Sequence, residues 1–187
     1  MFDESFDGAK VAILRGNDVL VIRRDDNPNI PWPDRWDFPG GGRENGETPF
    51  ETAQRETLEE VGLTLAEHRV FFHSQQPGPS GDTVHFFAVL WGDLTEADVT
   101  FGGEGQEWRF MPVQDFLDSA DAIPSLQVRF RMALTTLYWS LPAVGLPEGT
   151  SAPLGSGDHA CGTGPDTNVV KISGAGLCQK VSDIPKA

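Results

Sequence analysis

Apolar positions along the first 140 residues fall into short β-type runs and two stretches of helical period. Residues 11–15 and 19–24 are rich in Val, Ile and Leu and flank Gly16-Asn17-Asp18, whose turn chemistry predicts a β-hairpin. A polar, proline-containing loop over 25–33 leads to a short strand, Trp36-Asp37-Phe38, ended by Pro39. Gly40, Gly41 and Gly42 read as a tight turn, and also as a place where other groups can approach the backbone closely. The clearest helix follows. Thr48 is placed to cap it, Pro49 suits its first position, Glu51 completes a capping box, and Gly62 is a stop. Phe50, Ala53, Thr57, Leu58 and Val61 recur at helical spacing and are assigned to the core side, with Arg55, Glu56, Glu59 and Glu60 mostly elsewhere.

Residues 68–73, 83–91 and 107–113 read as strands, with a Gly/Pro-rich loop over 75–82, and 125–138 reads as a second helix. Strands interleaved with two helices predict an α/β (α+β) fold, a mixed sheet packed between helices. Past Leu141 the composition changes: no aromatic residue occurs and Gly, Pro, Ser and Thr dominate. The reading is one domain over 1–141 and an extension over 142–187, either disordered or a loop-rich cover, in which 169–172 can pair as a strand.

Charge narrows the function. The chain carries a formal −14, of which residues 141–187 account for only −1, so the chemistry is expected in the first 140 residues. That balance opposes binding to a nucleic-acid polymer, which calls for Lys and Arg. It suits carboxylates gathered around divalent cations, or simply a soluble surface. No apolar run approaches the ~20 residues of a membrane span. The acidic first ten residues lack an apolar signal core, and two cysteines, Cys161 and Cys178, make no disulfide framework. The expectation is a cytoplasmic protein with free thiols, a disulfide being the alternative.

From Gly41 the chain reads Gly, five residues, Glu47, seven residues, then Arg55-Glu56-Thr57-Leu58-Glu59-Glu60-Val61-Gly62-Leu63. Glu56 and Glu60 are four apart and Glu56 and Glu59 three, so a helix brings them together on one face. Crowded carboxylates repel unless cations neutralise them, and hard oxygen donors select Mg²⁺ or Mn²⁺. A solvated acidic helix face is the alternative, but it leaves the preceding glycines and Arg55 unexplained. The pattern resembles the Nudix box, Gly-x5-Glu-x7-Arg-Glu-U-x-Glu-Glu-x-Gly-U with U aliphatic. All seven fixed positions match, a coincidence on the order of 10⁻⁸ per starting position. The departure is Thr57 at an aliphatic position, a matter of packing.

The resemblance implies a Nudix-type α/β/α sandwich and roles for particular residues. Glu56, Glu59 and Glu60 are similar to the family's metal ligands, and the Gly40 carbonyl is a further candidate. Arg55 resembles the arginine that orients a catalytic carboxylate, and Glu47 the supporting first glutamate. Glu104-Gly105-Gln106-Glu107-Trp108 resembles the MutT-type loop that supplies another metal-binding or base glutamate: Glu104 first, Glu107 second, an ordinary polar loop being the alternative. Glu59, Glu60, Arg55 and Glu104 are therefore the candidate catalytic residues. Arg23, Arg24, Glu47 and Trp36 are the candidate substrate contacts, with Trp32, Phe86 and Trp108 also available to stack on a base. The histidines at 68, 73, 85 and 159 show no zinc spacing.

By the same resemblance the chain is expected to cleave a diphosphate bond in a small nucleotide with Mg²⁺, or Mn²⁺, as cofactor. MutT-like action on NTPs, dNTPs or 8-oxo-dGTP is favoured. Pro79, sixteen residues after Leu63, points to ADP-ribose or nucleotide-sugar pyrophosphatases as the alternative. A non-catalytic nucleotide sensor is another, although such modules usually lose box carboxylates. No nucleic-acid polymer or membrane partner is expected, and monomer and homodimer both remain open.

Overall fold

The computed structural model describes residues 6–78, 81–140, 169–171 and 178–180. The hairpin forms as its turn predicts: β1 (Gly8–Arg15) and β2 (Asp18–Arg23) pair antiparallel, with Arg15 opposite Asp18 and Gly16 at φ 60°. Its two arms then splay. The segment after β2 enters the gap as β3 (Trp36–Asp37), paired with β2, and β4 (Gly40–Gly42), paired with β1. The Val11 N–H donates to the Pro39 carbonyl at 2.8 Å, closing the fork. The three glycines are thus a strand rather than a turn. Gly8, Ala9 and Lys10 of β1 provide the ladder, and Gly8 itself has no room for a Cβ, which would lie 2.2 Å from the Gly41 carbonyl oxygen.

Helix α1 (Pro49–Val61) carries the expected capping box at Thr48 and Glu51 and ends at Gly62 in the left-handed region, φ 71°. Its buried residues are Thr52, Ala53, Thr57 and Val61. Leu58, assigned to the core by spacing, is 52% exposed, and Thr52 takes a core position instead. Strands β5 (Val70–Pro77) and β6 (Thr83–Leu90) pair antiparallel. β5 runs further than the expected 68–73, into the segment read as loop. β6 lies parallel to β1 and β7 (Glu107–Pro112) antiparallel to β2. The result is a seven-stranded mixed sheet of order β3-β2-β1-β6-β5, with β4 and β7 attached to β1 and β2.

Alternate residues of the central strands feed two cores, as a sheet covered on both faces requires. Val11, Ile13, Leu20, Ile22 and Phe87 pack with Ala53 and Val61 beneath α1. Ala12, Leu14, Val19, Val21 and Phe86 pack with the aromatic group of Phe38, Phe116 and Phe130. This second core is covered by α3 (Pro124–Ser140) and by the six-residue α2 (Val113–Asp118), a helix too short for periodicity to reveal. The α/β/α sandwich is therefore the observed fold. Among the described residues, no helix is long and apolar enough to cross a membrane. Val169–Lys171 forms β8, paired antiparallel with β9 (Cys178–Lys180). Pro79, His159, Cys161, Ile172 and most of the extension lie outside the described residues.

Candidate active site

The site forms where the fork of β1 meets the outer face of α1. Arg55 is its centre. Its Nε donates to Glu47 Oε1 at 2.7 Å, and its Nη1 donates to Glu56 Oε1 at 2.9 Å and to Glu59 Oε2 at 3.0 Å. Its Nη2 donates to the Gly42 carbonyl at 2.7 Å and to Glu47 Oε2 at 3.2 Å. A guanidinium presents five donors in a rigid fork, so one residue ties the helix, β4 and the intervening loop together. Glu47 also accepts from the Thr52 hydroxyl at 3.0 Å and the Glu44 N–H at 3.1 Å. The Arg55 bond, ahead of these, holds its carboxyl down at about 2. Both oxygens of Glu47, a candidate substrate contact, are thus engaged within the protein.

Glu60 faces the other side of the cluster. Its Oε2 accepts from the Gly40 N–H at 2.8 Å. Burial, reinforced by the nearby Asp37 and Glu56 carboxylates, lifts its carboxyl to about 7 against the opposing pull of Lys10 and that N–H. Burial also raises Glu56, with Arg55 and Lys10 pulling the other way. Gly41 makes the close approach possible: a Cβ there would stand 2.5 Å from Glu56 Oε1.

The expected metal ligands do not converge fully. Among the described residues, no three His, Cys, Asp or Glu side chains stand together as a ready ligand group. The reason is visible in the contacts. Arg55 draws Glu47, Glu56 and Glu59 to itself, while Glu60 is held across the gap at Gly40. The donor set nevertheless fits a hard divalent cation. Three carboxylates, Glu56, Glu59 and Glu60, lie within five residues of one helix, and carboxylate oxygens are the donors such a cation takes.

Glu104 lies in the bend before β7 and is exposed. Its loop is anchored on both sides of the site. The Gly102 N–H donates to the Glu60 carbonyl at 2.8 Å, and the Gln106 N–H to the Arg23 carbonyl at 2.8 Å. Glu107, the second choice, pairs instead with Arg109. Arg23 and Arg24 are engaged within the protein: Arg23 Nε donates to Asp34 at 2.8 Å, and Arg24 donates to Asp37 at 2.8 Å and the Pro31 carbonyl at 3.1 Å. Trp36, a candidate substrate contact, sits in the second core. It is 6% exposed, with the Arg23 and Arg109 guanidinia over its ring. Phe86 is fully buried, whereas Trp32 is exposed. His73 and His85 form a pair 2.8 Å apart on β5 and β6.

The model of the NUDIX domain matches residues 6–130. The chain belongs to the NUDIX family. A Bacillus subtilis (strain 168) protein with the provisional name 8-oxo-dGTP diphosphatase is 34% identical over 94 residues. That match spans 50% of this chain and 59% of the relative, less than two thirds of its length. Among solved structures, a MutT protein from Methanosarcina mazei Go1 is similar at TM-score 0.56 and 20% identity, over 72% of this chain and 97% of that one. A C. elegans Ap4A hydrolase is similar at TM-score 0.53 and 23% identity, over 68% and 98%. At these identities the two structures bear on the fold alone.

Within this NUDIX domain, two charged residues of the site were missed from sequence. Asp37, 3% exposed, accepts from Lys10 Nζ at 2.9 Å, Arg24 Nη1 at 2.8 Å and the Phe38 N–H at 2.7 Å. Lys10 sits on β1, some thirty positions before the motif. The available signal was a lone Lys and a lone Asp inside β-rich runs, where a charge needs a partner.

Proposed function

We propose that this NUDIX protein is a divalent-metal-dependent pyrophosphohydrolase cleaving a diphosphate bond in a small nucleotide. Nucleoside triphosphates, including 8-oxo-dGTP, are favoured over ADP-ribose or nucleotide sugars. The observation that carries the reading is the Arg55 cluster. One guanidinium holds three carboxylates of the motif, and Glu60 lies close by with its carboxyl raised to about 7. The name of the Bacillus subtilis relative supports the substrate class. Retention of every motif carboxylate favours catalysis over nucleotide sensing.

Glu56, Glu59 and Glu60 would hold Mg²⁺, with Mn²⁺ able to replace it and Glu104 joining from its loop. A bound Mg²⁺ supplies charge neutralisation on the diphosphate and a lowered pKa for the attacking water. Arg55 fixes the bearing of Glu56 and Glu59 through its Nη1. Glu60, part-buried and accepting from the Gly40 N–H, or Glu104 would orient the attacking water and take its proton. In-line attack of water at phosphorus then yields two phosphorylated products.

The test is phosphate or pyrophosphate release from 8-oxo-dGTP, NTPs, dNTPs, ADP-ribose, diadenosine polyphosphates and sugar nucleotides, with Mg²⁺ or with EDTA. Metal-dependent cleavage concentrated in the triphosphates is expected. Near-normal turnover by folded Glu59→Gln and Glu60→Gln proteins would refute the site assignment. Failure to cleave anything by folded wild-type protein would refute the activity.

A further inference from the structure

Lys10 lies outside the motif and has no part in the mechanism above, yet its side chain enters the site. An ammonium has three N–H donors and no acceptor. Here all three are directed at one short segment: Asp37 Oδ2 at 2.9 Å, the Phe38 carbonyl at 3.1 Å, and the Gly40 carbonyl. One carboxylate and two carbonyls form an oxygen donor set that elsewhere receives a metal ion. The charge also acts on the motif, since Lys10 pulls against the upward shifts of both Glu56 and Glu60. Gly40 joins the two halves, its N–H on Glu60 and its carbonyl on Lys10. The carbonyl expected from sequence to reach a metal is thus already bonded to a covalently attached cation.

We propose that Lys10 is a built-in cation that competes with the divalent metal at the Gly40 carbonyl and in the field of Glu56 and Glu60, weakening metal binding. This inference rests on the metal-dependent reading of the site. Lys10 acts through Gly40 and the glutamates and is a positioning residue. Its tether keeps the 37–40 segment in place when no metal is bound, and its charge repels an arriving ion.

The experiment is a Mn²⁺ titration of the whole, nucleotide-free chain, followed by electron paramagnetic resonance and calorimetry. Wild type is compared with Lys10→Met, which loses charge and donors at similar length, Lys10→Gln, which stays polar, and Lys10→Arg, which keeps the charge. Both neutral variants are expected to bind Mn²⁺ on the order of tenfold more tightly, the repulsion of a univalent and a divalent charge roughly 6 Å apart in a water-like medium. Lys10→Arg stays near wild type. Damage to the fold would weaken binding, so a gain separates tuning from a structural role. Unchanged or weaker Mn²⁺ binding by the folded neutral variants overturns the proposal and leaves the metal reading standing. Failure of both neutral variants to fold also overturns it, by making Lys10 a requirement of the fold. Absence of Mn²⁺ binding by wild type overturns the metal reading and this inference together.

Discussion

Thr57 stands at the aliphatic position of the motif, and replacing it should stabilise the protein. Its side chain is fully buried on the sheet side of α1, and its Oγ1 has no hydrogen-bond partner. An unsatisfied buried hydroxyl carries a desolvation penalty of about 1–3 kcal/mol. Valine has the same branched shape and removes that penalty, and its extra methyl buries up to ~1 kcal/mol more apolar surface. Allowing for imperfect fit, Thr57→Val is expected to gain about 1–2 kcal/mol, a rise of roughly 3–7 °C in Tm for a domain of this size. Thr57→Ser keeps the hydroxyl, loses the methyl, and is expected to lose about 1 kcal/mol. The assay is thermal melting with urea denaturation at a common m-value, in EDTA so that metal binding does not contribute. Turnover of Thr57→Val should remain within about twofold of wild type, because residue 57 faces the core and Arg55 and Glu59 face outward. A Tm that is unchanged or lower, with Thr57→Ser neutral, would refute the reasoning: the hydroxyl would then have a partner.

The charged residues give three further predictions. In the folded protein burial raises Glu60 from 4.5 to about 7, so its contribution to stability is full below pH ~4.5 and lost as pH rises through 7. Glu60→Gln in EDTA should therefore gain on wild type between pH 5 and 8, by on the order of 2–3 kcal/mol in chemical denaturation. A pH-independent difference would contradict this. Arg55→Lys should keep under about a tenth of wild-type kcat, since a point-like ammonium cannot hold Glu47, Glu56, Glu59 and Gly42 together. Restored turnover would show that charge alone suffices. Gly41→Ala places a Cβ 2.5 Å from Glu56 Oε1 and should lower kcat roughly a hundredfold by displacing that carboxylate. Steady-state kinetics on protein with a normal melt would test it, and near-normal kcat would mean that Glu56 has no positional role.

Local chemistry was legible in the chain, and long-range pairing was not. The hairpin turn, the Thr48–Glu51 capping box and the Gly62 stop are each settled by a few neighbouring residues, and all three stand as expected. Gly40–Gly42 became a strand because β1 supplies its ladder from some thirty residues away. Leu58 marks the limit of a periodicity argument: it belongs to the helix's apolar residues by spacing, but the sheet reaches only as far round as Thr57 and Val61. In the site, Arg55 and the glutamates were found through their spacing. Lys10 and Asp37 have no pattern to betray them, since their meeting depends on β3 and β4 entering the fork. Trp36 shows the same limit: an aromatic able to stack on a base reads the same in sequence as a core aromatic, and this one packs in the second core.

The forked hairpin bears on how the protein folds. The β1–β2 turn closes over two residues, whereas β4 must return across about thirty positions and β6 across more than seventy to lie along β1. Loop closure is slower and entropically dearer the longer the chain it encloses. The hairpin and α1 can therefore nucleate early, but Gly40 and Gly41 reach Glu60 and Glu56 only once the fork has been filled. In refolding from denaturant, helical signal should precede the recovery of any turnover, because the arrangement around Arg55 and Glu60 waits on the long-range pairing of β4 with β1.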